Sequence, residues 1–244
     1  MKGVIAEALN FLGSRGKVQT KAGIQDKTLI LCDFDGTASA VDVGYQLLKK
    51  FSEDEWAAID RDYCSGLIGS MEAYSRIASI IHASQEEFLD YLPNLTRLDE
   101  GFPDFYDYLT GQGFDFKIIS DGLEFYIRHI FTQYKLTSIP IFANRMNFDN
   151  GKGITIDFPY HNPDCLKCGT CKTNICILCR KQYQKIIYIG DGYSDICPAQ
   201  QADIVFGKNI LYQHRQEKSL PCILYRDFYE IRQYLENQIN FESK

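Results

Sequence analysis

The run Thr28-Leu29-Ile30-Leu31-Cys32-Asp33-Phe34-Asp35-Gly36-Thr37 sets an apolar strand directly before two aspartates, and no other stretch narrows so sharply what the chain can fold into. Alternate side chains of an extended strand share a face, so Asp33 and Asp35 project to one side and Phe34 to the other. Gly36 then lets the backbone turn away at once. Like charges held this close push one carboxyl towards protonation unless a cation lies beside them. Magnesium meets that need, being a hard ion that takes oxygen ligands, commonly one or two carboxylates together with a substrate phosphate. An Asp-Gly pair after a strand is also ordinary turn chemistry, and this run alone does not separate the two readings.

The chain has 244 residues, 45% of them hydrophobic and 14% aromatic, with a net charge of -6. That is enough for one substantial core with a smaller attached module. The acidic balance and the lack of a long basic run argue against nucleic acid or an anionic membrane surface as partner, and for a small molecule. No stretch reaches the apolar length that spans a bilayer, and Glu7 interrupts the apolar run near the start, so neither signal peptide nor anchor is expected. Nine cysteines without an export signal are read as reduced thiols in a cytoplasm.

Residues 1–27 read as a leader, with a short amphipathic helix over 3–13 and a polar, partly mobile remainder. Helical periodicity covers Val41 to Phe51, Glu53 to Tyr63, Met71 to His82 and Glu86 to Tyr91, the last with a capping box of Ser84 and Glu87. Strands then alternate with helices. The strands are Phe116 to Ser120, Pro140 to Phe142, Lys185 to Gly190, Ile204 to Phe206 and Cys222 to Tyr225. The helices are Pro103 to Leu109, Leu123 to Tyr134, Thr173 to Gln184, Ser194 to Gln201 and Asp227 to Glu236. Asn150-Gly151-Lys152-Gly153 reads as a hairpin turn. Alternation of this kind predicts an α/β fold with a mostly parallel, Rossmann-like sheet over 28–40 and 99–244. A small helical cap over 41–98 is inserted after the first strand, over the strand ends where such sheets bind ligands.

Three further segments deliver chemistry to that rim. Ser120 ends a strand and is followed by Asp121-Gly122 at an expected helix start, where a hydroxyl and free backbone amides make a phosphate cradle; an N-cap serine is the bland alternative. Asp191 follows the strand Lys185 to Gly190 and can reach a metal, with Asp195 four residues on in support. Lys172 lies between and is a candidate counter-charge to a phosphoryl group.

Taken together, Asp-x-Asp-Gly-Thr, Ser120, Lys172 and Gly-Asp-x-x-x-Asp resemble, in order, the four motifs of the haloacid dehalogenase superfamily of phosphatases. The insertion resembles the small cap of its phosphoserine phosphatase-like branch. The resemblance implies that Asp33 is the nucleophile that forms an aspartyl-phosphate and Asp35 the general acid and then base. It implies that Ser120, Asp121, Gly122 and Lys172 hold phosphate, and that Mg2+ is bound by Asp33, Asp35 and Asp191, with Asp195 supporting. The segment His161 to Lys172 and Tyr225-Arg226-Asp227-Phe228-Tyr229-Glu230-Ile231-Arg232 resemble the methionine-salvage family of 2-hydroxy-3-keto-5-methylthiopentenyl-1-phosphate phosphatases. Asp191-Gly192-Tyr193-Ser194-Asp195-Ile196-Cys197-Pro198 is nearer to the phosphocholine and phosphoethanolamine phosphatases. Phosphoserine is less favoured, because the glutamate expected at the Asp42 position is absent. A phosphotransferase or mutase would share the same covalent intermediate. Tyr45, Arg61, Tyr63, Glu72 and Arg76 are candidate cap contacts that serve equally as surface and packing residues.

Cys165, Cys168, Cys171, Cys176 and Cys179 give a dense thiol run, in which Cys165, Cys168 and Cys171 are candidate ligands for a structural Zn2+. Cys176 and Cys179 fall in an expected helix, where free cysteine commonly packs as a small hydrophobe. The oligomeric state leaves no mark in the sequence.

Overall fold

The computed structural model describes residues 27–52, 55–149, 153–165 and 167–242. The leader up to residue 26 and the turn expected at Asn150-Gly151-Lys152 lie outside them. Strand β1 (Thr28–Cys32) is buried along its whole length, as a near-continuous apolar run in a parallel sheet should be. It pairs in parallel with β2 (Asp115–Leu123) on one side and β5 (Lys185–Gly190) on the other. With β3 (Ile141–Asp149), β4 (Gly153–Asp157), β6 (Ile204–Gly207) and β7 (Ile223–Leu224), the seven-stranded order is β4-β3-β2-β1-β5-β6-β7. Among the described strand pairs of the sheet only β3–β4 is antiparallel. The order reverses direction beside β1, so the carboxyl ends of β1 and β5 open a crevice in which such sheets bind ligands.

Successive β1 residues feed opposite cores. Ile30 and Cys32 join one buried cluster, Leu29 and Leu31 the other. The larger cluster runs from the sheet through α5 (Phe102–Gln112) and α6 (Glu124–Gln133) into the helices between β1 and β2. Those are α1 (Val43–Phe51), α2 (Trp56–Cys64), α3 (Ser70–Ile80) and α4 (Gln85–Tyr91). The Ser84–Glu87 capping box forms at the start of α4. At the neck of the insertion the two chain segments cross as an antiparallel bridge, Ser39 against Leu98, with Ala40 N–H donating to Arg97 O at 2.9 Å and Asp99 N–H to Ala38 O at 3.0 Å.

Helices α7 (Lys172–Arg180), α8 (Asn209–Glu217) and α9 (Phe228–Glu242) complete the described α-helices. Three expectations change. Ser194 to Gln201 is not an α-helix but two short 3-10 turns, Tyr193–Asp195 and Pro198–Gln201. Asp195 folds back onto backbone amides of its own turn, and Pro198 brings no N–H to a continuing helix. Strand β2 runs past Ser120 through Leu123 with a register shift, so Asp121 and Gly122 lie in an irregular strand end directly before Leu123, the N-cap of α6, where the helix start was expected. Helix α8 was not expected, since its residues are polar enough to read as loop. No described helix is long and apolar enough to cross a membrane.

Candidate functional site

Asp33 leaves β1 buried at the crevice, its backbone N–H donating to Ile189 O at 2.9 Å and so fixing it against the end of β5. Its Oδ1 accepts from Phe34 N–H at 2.7 Å and pairs with Lys172 Nζ at 2.8 Å. The chain then loops through Gly36, at φ +71°, where a Cβ would lie 2.7 Å from Asp191 Oδ2. Only glycine meets both the left-handed backbone and the close approach of Asp191. The loop aims Asp35 back at the site. Its Oδ1 accepts from the amides of Val43 at 2.8 Å and Gly44 at 3.1 Å, and its Oδ2 accepts from the buried Tyr126 hydroxyl. Burial, followed by the charge of Asp42, raises the Asp35 carboxyl to about 7.

Lys172, the first residue of α7, is almost fully buried between Asp33 and Asp195, 2.7 Å from Asp195 Oδ1 and 2.9 Å from Ser194 Oγ. Burial works against its charge, but Asp195 and Asp33 outweigh it and hold the ammonium well above the usual lysine range. Asp195 also accepts from Tyr188 O–H at 2.7 Å and, on Oδ2, from the amides of Asp191 and Gly192 at 2.9 Å each. Burial opposes its ionisation, yet Lys172 and these donors keep the carboxylate below its ordinary range. Asp191 accepts from Thr37 O–H at 2.9 Å and Asn209 Nδ2 at 3.2 Å. Burial and the charge of Asp195 raise Asp191, and both likewise raise Asp33.

Ligand oxygens of Asp33, Asp191 and Asp195 all lie within 4.8 Å of one another. Both Asp195 oxygens are engaged by Lys172, Tyr188 and the two amides, which makes it a brace, while Asp33 and Asp191 are the carboxylates whose raised proton affinity a cation would relieve. An all-oxygen set of this kind suits a hard divalent ion. Zinc at Cys165, Cys168 and Cys171 finds no such support: among the described residues these thiols do not form a group of three within that distance.

Ser120 is buried beside the aspartates and its Oγ accepts from Gly122 N–H at 3.0 Å. A Cβ on Gly122 would overlap the Tyr126 hydroxyl. Asp121 lines the same cavity as the aspartates, and its carboxylate accepts from Thr170 N–H at 2.9 Å and Asn144 Nδ2 at 3.2 Å. The spacing of the motifs gave no sign of Tyr126, Tyr188 or Asn144, and it contained Thr37 without giving it a role. Tyr126 falls on the apolar face of α6 with Ile127 and Ile130 and reads as core.

Above the aspartates opens a cavity of about 420 Å³, whose far side carries Tyr45, Trp56, Tyr63 and Tyr74 with Asp42 and Asp60. No lysine or arginine lines it among the described residues. Arg76 pairs at the surface with Asp62 at 3.0 Å and Glu72 at 2.6 Å.

The fold and this carboxylate cluster define a phosphatase of the haloacid dehalogenase type. A family model described as Putative Phosphatase matches residues 28–216, and the chain belongs to that family. The 2-hydroxy-3-keto-5-methylthiopentenyl-1-phosphate phosphatase of Bacillus velezensis is 30% identical over 212 residues, covering 86% of this chain and 90% of its own. The enzyme of the same name from Lysinibacillus sphaericus is 31% identical over 221 residues, covering 86% and 95%. A solved phosphoserine phosphatase in a phospho-aspartyl intermediate analogue form superposes with a TM-score of 0.63 at 21% identity, over 86% of this chain and 99% of its own. The phosphoserine phosphatase from T. onnurineus gives 0.65 at 16%, over 90% and 99%. These two likenesses are of fold.

Proposed function

We propose that the protein is a magnesium-dependent phosphomonoesterase that works through an aspartyl-phosphate. The observation that carries this is the Asp33–Lys172–Asp195 chain of ion pairs, 2.8 and 2.7 Å, set beside Asp35 and Asp191. Asp33 attacks phosphorus in line while Asp35, protonated, gives its proton to the leaving oxygen. Asp35, now ionised, takes a proton from the water that hydrolyses the acyl phosphate. Lys172 and the Ser120 hydroxyl face the phosphoryl oxygens, and burial strengthens each contact. Asp33, Asp191 and the backbone carbonyl of Asp35 would hold the ion, which when bound supplies positive charge against those oxygens.

The substrate we assign is 2-hydroxy-3-keto-5-methylthiopentenyl-1-phosphate, on the strength of relatives of that name at 30% and 31% identity over most of both chains. One observation favours a second reading, phosphocholine or phosphoethanolamine. The cavity sets Asp42 and Asp60 among aromatic rings without a lysine or arginine, and acidic, aromatic walls suit a cationic head group. Phosphate release from these three esters with magnesium, beside Asp33→Asn, tests both. Asp33→Asn should abolish turnover, and release of inorganic phosphate in step with alcohol separates hydrolysis from transfer to another acceptor. Turnover that survives in Asp33→Asn would overturn the mechanism.

A further inference from the structure

Between the strand end that carries Ser120 and the turn that leads into Lys172 lies a closed set of hydrogen bonds centred on Asn144. The ladder between β2 and β3 explains why it is needed. Ile119 pairs with Phe142 and Leu123 with Asn144, so Ser120, Asp121 and Gly122 stand against a single residue of β3 and leave the regular ladder. Their backbone groups then need other partners. Asn144, fully buried, supplies one: its Nδ2 donates to Asp121 O at 2.7 Å and to Asp121 Oδ1 at 3.2 Å. On the other side its Oδ1 accepts from the buried Thr170 hydroxyl at 3.0 Å. Thr170 N–H closes the ring by donating to Asp121 Oδ1 at 2.9 Å, and Thr170 O accepts from Lys172 N–H at 3.0 Å.

The amide can stand only one way round. Asp121 O accepts and cannot donate, so the Asn144 nitrogen faces it and the Asn144 oxygen faces the Thr170 hydroxyl. This position thus calls for a donor towards the strand end of Ser120 and an acceptor towards the turn of Lys172, which asparagine provides. The fit is close, since a Cβ on Gly169 would lie 2.7 Å from Asn144 Oδ1. The turn is also pressed against α3: Gly169 N–H donates to Ser70 Oγ at 3.0 Å, and a Cβ on Gly69 would lie 2.1 Å from Lys167 O. Held from both sides, the turn passes a change at Asn144 on to its neighbours instead of absorbing it.

We propose that Asn144 is a positioning residue which, through Asp121 and Thr170, sets the spacing of Ser120 and Lys172 and with it the affinity of the site for a phosphoryl group. The inference rests on the phosphatase reading, which assigns those two side chains to the phosphoryl oxygens. Anchors of that kind act only when each is held within a fraction of an ångström of its place. The carboxylates assigned to the metal have other supports: Asp33 N–H donates to Ile189 O, and Asp191 accepts from Thr37 and Asn209. Loss of the Asn144 bridge therefore weakens the hold on phosphate and leaves the hold on magnesium.

The test uses two variants of nearly unchanged shape in the full chain. Asn144→Asp turns the donor towards Asp121 into an acceptor, and Thr170→Val removes the hydroxyl that Asn144 Oδ1 accepts from. Inorganic phosphate is titrated by calorimetry into each folded protein with magnesium present, magnesium is titrated alone, and kcat/KM is measured on one phosphate ester. Asn144→Asp should weaken phosphate binding and lower kcat/KM by about tenfold or more, the scale of one buried hydrogen bond lost with its partner left unpaired. Thr170→Val should do the same by a smaller factor, and Thr170→Ser, which keeps the hydroxyl, should restore both. Magnesium affinity should stay within about twofold throughout, since its carboxylates keep their own partners. Phosphate affinity unchanged in Thr170→Val, or phosphate and magnesium affinities falling together, overturns the proposal, and the latter would make the bridge a support of the fold alone. Should Asn144→Asp fail to fold, the pair of Thr170 variants decides. An unmodified protein that binds phosphate but hydrolyses no ester would count against the phosphatase reading, with the titrations still deciding this one; one that binds no phosphate overturns both.

Discussion

In the mechanism proposed above Asp35 holds a proton in one step and lacks it in the next, so on that reading its proton affinity sets the working pH. Burial and Asp42 raise it to about 7, while the Tyr126 hydroxyl and the amides of Gly44 and Val43 pull it down. Below that value the protonated acid serves the leaving oxygen; above it the carboxylate serves water. Turnover of an alkyl phosphate should therefore peak near neutrality and fall on both sides. Tyr126→Phe removes a donor that favours the ionised form, so both limbs should move to higher pH, by about one to two units if the bond is a typical one to a charged group. Rate profiles of the two proteins on one alkyl phosphate measure this, and limbs that stay in place would show that the hydroxyl only fills space. Asp33, Asp35, Asp191 and Asp195 were legible in the sequence because each follows or closely trails a strand whose apolar run is unmistakable. Lys172 was legible only beside them. Tyr126 was not, because a buried tyrosine on an apolar helix face looks the same whether its hydroxyl meets solvent, backbone or a carboxylate.

The elements that were misjudged are those in which a side chain overrides local propensity. Ser194 to Gln201 carries a helical spacing, yet Asp195 spends its carboxylate on the amides of Asp191 and Gly192 at 2.9 Å each, and the turn closes as a 3-10 unit. Such a choice is decided by Lys172 and Tyr188 arriving from elsewhere in the chain, which no local window contains. The sheet was legible because parallel strands buried on both faces must be apolar along their length. The contact of α3 with Lys167 and Gly169 was not, since it rests mostly on backbone atoms: Met71 N–H donates to Lys167 O at 3.2 Å and Gly169 N–H to Ser70 Oγ at 3.0 Å. Gly69 precedes α3 with φ -90° and ψ 171°, a backbone that any residue adopts, so its requirement for glycine is steric. Gly69→Ala should cost about 1–3 kcal/mol as the Lys167 backbone is forced aside. Chemical denaturation of the two proteins measures it, and a loss within about 0.5 kcal/mol, the range of ordinary surface substitutions, would mean that the contact relaxes freely.

At the scale of the molecule, the insertion and the sheet share one hydrophobic cluster, and Phe88 is its joint. Fully buried on α4, it stacks on Phe51 at 4.3 Å between centroids and meets Phe148 of β3 edge-on at 5.5 Å. Phe88→Ala should cost about 3–5 kcal/mol, and the whole chain should still melt in one transition. Two separated transitions by calorimetry would show that the insertion folds independently. The same joint holds the aromatic, acidic side of the cavity over the aspartates, and this arrangement bears on substrate choice. Phosphoserine is phosphoethanolamine with one added carboxylate. Inside a cavity that presents Asp42 and Asp60 and no lysine or arginine among its described residues, that carboxylate meets like charge with nothing to pair it. The repulsion is worth about tenfold or more in kcat/KM at the short distances and reduced dielectric of such a site. Phosphoethanolamine should therefore be turned over better than phosphoserine by that factor, and Asp60→Asn should narrow the gap by improving phosphoserine and weakening phosphoethanolamine. Equal kcat/KM for the two esters in the unmodified protein would show that the leaving group's charge never enters the cavity, and that the walls recognise only its neutral parts.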